Sequence, residues 1–226
     1  MRKDKECGII ISGQPRSGKS TLANVFSKNT DFNVLKTDIL FIKHLKNKIF
    51  FANSSIMVEK FLNSFRYQDS KKKIKRYVKD DIAIDKAKII EYVRTKNTYT
   101  QCHLIFSVLD AWNYLKKKKV WIVPDLNTEI YFHELVKIKP NTKFIFIFRN
   151  PIESIVASLY WRKGKTYPSN LDLVKLIIRW NLTFFLANKL KDKYKKSIQI
   201  LFFESLEKNK IIDLSQIELA NYKIKF

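Results

Sequence analysis

The chain has 226 residues, 46% of them hydrophobic, which suffices for one α/β domain with a full core and is too apolar for a disordered protein. The formal charge is +23, yet only eight of the 44 basic residues are Arg, and most of the charge reads as lysines scattered over solvated faces. A positive field of this size favours anionic ligands such as nucleotides, and nothing singles out a specific nucleic-acid partner.

No apolar run approaches the roughly eighteen residues of a membrane span, so no transmembrane segment is expected. The first six residues, Met-Arg-Lys-Asp-Lys-Glu, are too charged for a signal peptide, which makes a cytoplasmic location the simple expectation. Cys7 and Cys102 provide neither a disulfide framework nor a metal cluster.

In chain order, Cys7–Ser12 reads as a first buried strand, followed by a glycine-containing loop and a helix over Lys19–Lys28. Phe32–Lys36 reads as a second strand ending at Thr37-Asp38. Helical spacing of apolar residues recurs over Ile39–Phe51, Met57–Phe65, Ile82–Arg94 and His103–Leu115. The Lys71–Arg76 run and Asp80-Asp81 read as an exposed connection or lid. The region 50–118 carries no clear strand and is expected to form a helical cap inserted within a single domain spanning 1–226.

Val120–Val123 is the next strand and stops at Pro124-Asp125; a helix over Thr128–Ile138 and a turn at Lys139–Thr142 follow. Lys143–Phe148 (KFIFIF) is apolar on both faces, as a central parallel strand is. Pro151 suits the first turn of a helix reaching about Arg162. After a loop over Gly164–Asn170 come a long helix over Leu171–Tyr194 and a last strand over Ile198–Phe203, ending at Glu204. Strands alternating with helices predict a parallel sheet of four or five strands with helices on both faces, the three-layer sandwich of P-loop proteins.

Open parallel sheets bind ligands beyond the carboxyl ends of their strands, which narrows the site to Gly13–Ser20, Asp38, Asp125, Arg149 and Glu204. The first is the strongest signal. Gly13-Gln14-Pro15-Arg16-Ser17-Gly18-Lys19-Ser20 fits the pattern of Gly, four residues, Gly-Lys-Ser, between a strand and a helix. Two of only four glycines in the chain occupy its fixed positions. Such a loop turns its N–H groups inward at a helix start and binds a phosphate-like anion.

KFIFIFRNPIESIVASLYWR, with its strand ending in Arg149-Asn150-Pro151, resembles the second nucleotide-binding segment of the sulfotransferases, which use 3′-phosphoadenosine 5′-phosphosulfate (PAPS). Pro15-Arg16-Ser17-Gly18 resembles that family's first segment, and ILFFESLEKN (Ile200–Asn209) its closing strand. The resemblance implies that Gly13 to Thr21, including Ser20 and Thr21, wrap the 5′-phosphosulfate. It implies that Arg149 with a serine on the following helix holds the 3′-phosphate. That serine is read as Ser158, with Ser154 one turn earlier in reserve; the position eight after Arg149 is Ala157.

The implied reaction is sulfuryl transfer from PAPS to a hydroxyl or amine acceptor, a carbohydrate or other small molecule, with Lys19 and Arg16 stabilising the charge that builds up. Asp125 lies 24 residues before Arg149, close to where many members carry a catalytic His, and is one candidate base. Asp38, placed like the acidic base of protein-tyrosine sulfotransferases, is the other. His133 on the next helix is a weaker candidate. His44, His103, Trp161 and Trp180 read as core or surface residues.

Two other readings stay open. Gly18-Lys19-Ser20 is also the version of the loop found in P-loop kinases, where Lys reaches the β- and γ-phosphates of ATP and Ser binds Mg²⁺, with Asp125 organising the metal. A basic nucleotide- or nucleic-acid-binding module without turnover is the third.

Overall fold

A computed structural model describes residues 7–35, 38–39, 41–45, 86–95, 100–163, 169–217, 219 and 223–225, with the side chains of 43–44, 86, 161–163 and 223 left aside. Of the expected elements, Met57–Phe65, Lys71–Arg76, Asp80-Asp81 and the Gly164–Asn170 loop as far as residue 168 lie outside these residues.

Five strands form one parallel sheet: β1 (Cys7–Ser12), β2 (Phe32–Val34), β3 (Val120–Pro124), β4 (Lys143–Phe148) and β5 (Ile198–Phe202), in the order β2-β3-β1-β4-β5. The connecting helices are α1 (Lys19–Phe26), α2 (Phe41–Leu45), α3 (Lys86–Arg94), α4 (Gln101–Leu115), α5 (Thr128–Ile138), α6 (Pro151–Lys163), α7 (Asn170–Lys193) and α8 (Phe203–Asn209). The parallel sheet with helices on both faces is the predicted fold class.

Strand side chains alternate between two cores, as the period of two requires. Ile10, Trp121, Val123, Phe144, Phe146 and Phe148 point to one face, where α4, α5 and α7 cover them. Ile9, Ile11, Val120, Ile122, Ile145 and Ile147 point to the other, against α1 and α8. Burial on both faces explains why these strands read as unbroken apolar runs. At the start of the sheet, Trp121 Nε1 donates to Asp110 Oδ1 at 2.8 Å, and Lys139 pairs with the other carboxylate oxygen at 2.5 Å. That pairing satisfies the one buried acid of α4.

The differences from expectation lie at boundaries and in the tail. Phe203 opens α8 instead of closing β5, because the strand passes directly into a helix inside the apolar run Leu201-Phe202-Phe203. α4 begins two residues early because Thr100 caps it, its Oγ1 accepting from His103 N at 3.2 Å. The tail holds a second, antiparallel sheet: β6 (Ile211–Asp213) pairs with β7 (Lys223–Lys225) and buries Ile212 and Ile224. Within the expected cap, α3 and α4 are helices that pack on each other.

Candidate active site

The parallel order places the ends of all five strands along one edge. Asp38 follows β2, Asp125 follows β3, the Gly13–Gly18 loop follows β1, Arg149 follows β4 and Glu204 follows β5.

The loop at the centre of that edge is held by its backbone. Gly13 (φ 151°) and Gly18 (φ 99°) adopt the left-handed region, and Arg16 joins them at φ 67°. A Cβ on Gly18 would come within 2.3 Å of the Phe203 ring, so close packing as well as dihedral angle requires glycine there. Ser17 N donates to Gln14 O at 3.3 Å, closing the turn. Ser17 Oγ is buried in this cradle without a hydrogen-bond partner among the described residues. Arg16, Ser20 and Thr21 are exposed at its mouth.

Lys19 starts α1 and is almost wholly buried, its Nζ donating to the carbonyls of Gly13 (3.0 Å) and Gln14 (3.1 Å). Burial pushes its ammonium pKa down; Asp38, Asp125 and Glu129 oppose the shift, while Arg179 adds to it. Three carboxylates thus surround the lysine.

They are not equivalent. Asp125 is fully buried; its N–H donates to Ile11 O at 2.9 Å and its carboxylate accepts a short hydrogen bond from the Tyr131 hydroxyl. Tyr131 reaches it where α5 departs from helical dihedral angles (φ −125°, ψ 21°). Burial and the neighbouring Asp125 raise the tyrosine pKa, so Tyr131 stays a phenol. Asp38 is exposed.

Glu129 is the third carboxylate and was absent from the sequence reading. It is buried, and burial pushes its pKa up, against the pull of its own backbone, Thr183, Arg179 and Lys19. A relay ties it to the loop: Gln14 Nε2 donates to Thr183 Oγ1 at 3.1 Å, and Thr183 Oγ1 donates to Glu129 Oε1 at 3.0 Å. Glu129 Oε2 is buried without a hydrogen-bond partner among the described residues. Arg179, one turn from Thr183 on α7, donates to Asn127 Oδ1 at 2.5 Å.

Arg149 and the start of α6 lie beside the loop, because β1 and β4 are neighbours. Arg149 stacks over the Phe203 ring at 5.4 Å, the same ring that covers Gly18. Its Nε (2.9 Å) and Nη2 (2.7 Å) both donate to Glu153 Oε2. Asn150 caps α6, its Oδ1 accepting from Ile152 N at 3.0 Å, while Asn150 N donates to Glu204 Oε1 at 2.7 Å. Ser154 and Ser158 are both buried on one face of α6, and Ser158 Oγ donates to Pro15 O in the loop at 3.3 Å. Thus Ser158 meets the Gly13–Gly18 loop, and Ser154 sits a turn nearer Arg149.

His133 lies elsewhere. It contacts Tyr194, whose carbonyl accepts from Ser197 N, and Ser197 O accepts from Phe144 N at the start of β4. That is the amino end of the sheet, opposite the loop. His103 is in the first turn of α4 with Nδ1 2.7 Å from Thr100 Oγ1, and Trp180 packs on Phe184 and Phe148. Among the described residues no group of three His, Cys, Asp or Glu is placed to hold a metal ion, and no helix is long and apolar enough to cross a membrane.

A model described as "Sulfotransferase family" matches residues 8–218. No curated protein matches the sequence. Among solved structures, sulfotransferase STF1 from Mycobacterium tuberculosis H37Rv superposes with a TM-score of 0.51 at 10% identity, covering 90% of this chain and 64% of that one. Sulfotransferase STF9 from Mycobacterium avium superposes with a TM-score of 0.50 at 8% identity, covering 91% and 61%. The chain therefore shares their fold and spans somewhat over three fifths of their length.

Proposed function

The chain belongs to the sulfotransferase family, and from that premise we propose that it transfers a sulfuryl group from PAPS to a hydroxyl or amine acceptor, a carbohydrate or another small molecule. The observation that carries the donor is the placement of the Gly13–Gly18 loop and Arg149, two candidate anion-binding places, at the ends of adjacent strands, linked where Ser158 donates to Pro15 O. A nucleotide with a phosphosulfate on one side of its ribose and a phosphate on the other needs two such places.

In this reading Gly13 to Thr21 cradle the 5′-phosphosulfate, and the Ser17 hydroxyl, without a hydrogen-bond partner among the described residues, fits an anion oxygen. Arg149 and Ser158, with Ser154 in reserve, take the 3′-phosphate, which exchanges with Glu153 for the guanidinium. Lys19 and Arg16 stabilise the charge that grows on the bridging and equatorial oxygens. The acceptor's proton goes to Asp38 as its oxygen or nitrogen bonds to sulfur and the S–O bond to the donor phosphate breaks. Asp38 is favoured over Asp125 because it is exposed, whereas Asp125 is buried and engaged by Tyr131. Asp125 then serves as counter-charge to Lys19. We assign acceptor choice to the region 50–118, within a single domain.

Gly18-Lys19-Ser20 with a buried acid after β3 favours one rival, transfer of the ATP γ-phosphate with Mg²⁺. Thermal stability with 3′-phosphoadenosine 5′-phosphate, and separately with ATP and Mg²⁺, decides between them. A ligand at a hundred times its dissociation constant adds about 2.7 kcal/mol. Stabilisation by the 3′-phosphorylated nucleotide without metal, lost in Arg149→Ala, is expected. Stabilisation by ATP and Mg²⁺ alone, indifferent to Arg149→Ala, overturns the reading.

A further inference from the structure

Among the described residues, one apolar face of α7 is buried in the fold, while a second is exposed, as are Leu173 and Ile177 beside it. Leu176, Thr183, Ala187 and Leu190 are buried, Ala187 and Leu190 in the core that covers the sheet and Thr183 against Gln14 and Glu129. Leu171, Val174, Ile178, Leu182 and Phe185 are all exposed, Leu171 by 62% and Ile178 by 60%. At 100° per residue these five fall in a strip about 80° wide, centred about 150° from the buried face. The strip is about 21 Å long at 1.5 Å per residue. On α6, which packs against α7, Ile152, Val156 and Tyr160 are exposed at helical spacing of four.

Scattered exposed apolar residues need no explanation, but an aligned strip of five on one helix marks a surface that something covers. Its shape and charge select the occupant. The strip is the outward ridge of a single helix, and a fluid surface can take up a ridge without a complementary groove. Lys175 and Lys189 fall within or beside the strip by the same helical projection, and Lys189 Nζ lies 4.5 Å over the Phe185 ring. Amphipathic helices at membrane surfaces combine aliphatic and Phe side chains with lysines in this way. A second copy would set two chains of +23 face to face with these lysines in the seam, whereas an anionic surface attracts both.

We propose that the outward face of α7 docks the protein on an anionic lipid surface. The strip enters the headgroup boundary, Lys175 and Lys189 lie among lipid phosphates, and Arg179 and Thr183 stay turned toward the site. The proposal is independent of the donor assigned above.

The test is co-sedimentation with vesicles of phosphatidylcholine alone and of phosphatidylcholine mixed with phosphatidylglycerol, at low and high salt. The double variant Ile178→Ser/Leu182→Ser is compared with the wild type. Both positions are exposed, so melting temperature and 3′-phosphoadenosine 5′-phosphate binding serve as controls of folding. Wild type is expected to bind the anionic vesicles at least about tenfold more tightly than the neutral ones, with salt weakening the binding. The variant is expected to lose about tenfold on the anionic vesicles. No binding to anionic vesicles at low salt overturns the proposal, as does equal binding by variant and wild type. A concentration-dependent dimer in solution that the double variant abolishes also overturns it, in favour of a second copy.

Discussion

The relay from Gln14 through Thr183 to Glu129 gives a test of how the loop is anchored. Thr183→Val keeps the side chain's shape and removes only the hydroxyl, which accepts from Gln14 Nε2 at 3.1 Å and donates to Glu129 Oε1 at 3.0 Å. All three side chains are buried, so water cannot easily replace the missing partner. Each stranded group costs about 1–3 kcal/mol, and the new methyl returns at most about 0.8 kcal/mol. With two groups stranded, the net loss is about 1–5 kcal/mol. At about 2–4 °C per kcal/mol for a domain of this size, the melting temperature falls by at least a few degrees. Urea titration of wild type, Thr183→Val, Glu129→Met and the double variant completes a cycle, and direct contact predicts a coupling of about 1 kcal/mol. A Thr183→Val variant within about 0.5 kcal/mol of wild type, or strictly additive effects, would refute the relay as a load on stability.

Lys19→Met is expected to abolish nucleotide binding and to lower stability at neutral pH, because it leaves the buried Asp125 and Glu129 carboxylates without their counter-charge and two loop carbonyls without their donor. Burial depresses the ammonium pKa, so the wild type gains stability as pH rises toward and through 10.5 and its lead over the variant must grow there; denaturant titrations across pH read it. Glu129→Gln works in the opposite sense. Its raised folded-state pKa means that wild-type stability falls as pH climbs above the ordinary carboxylate value of 4.5, so the variant gains relative to wild type over that range. Gly18→Ala meets both a φ of 99° and the Phe203 ring, and a loss of about 1–3 kcal/mol with impaired nucleotide binding is expected by calorimetry. Arg149→Ala removes a partly exposed pair and shifts stability by less than about 1 kcal/mol, while 3′-phosphoadenosine 5′-phosphate binding drops by tenfold or more. Glu153→Gln, which frees the guanidinium, tightens that binding instead.

What the sequence revealed and what it hid follow from the range of the forces involved. The five strands were legible because burial on both faces makes each a continuous apolar run, and the loop because φ near 99° at Gly18 restricts the residue. The same continuity concealed the β5–α8 switch, since Leu201-Phe202-Phe203 looks alike on either side of it. β6 and β7 are three residues each, too short for a period of two to stand out, and they exist only by pairing across the tail. Thr183 gave no signal because a lone hydroxyl within an apolar helix looks incidental until its two partners, 169 and 54 residues away, are in place. Arg179 did leave a trace: a charge between Ile178 and Trp180 sits on the inward side of α7 by helical projection.

The buried charged groups of the site converge on one lysine. Lys19 follows Gly18 at the start of α1, and a buried ammonium is costly unless acids and carbonyls surround it. Asp38, Asp125 and Glu129 are those acids, and the carbonyls of Gly13 and Gln14 hold its nitrogen. The buried lysine is thus matched by a carboxylate after β2, another after β3 and a third on α5. It also gives the relay a purpose: Gln14 both presents a carbonyl to Lys19 and is fixed through Thr183 by Glu129, so the charge partner and the positioning of the lysine are supplied by the same carboxylate. If Glu129→Gln leaves both the pH dependence of stability and nucleotide binding unchanged, this coupling fails and Asp38 and Asp125 suffice.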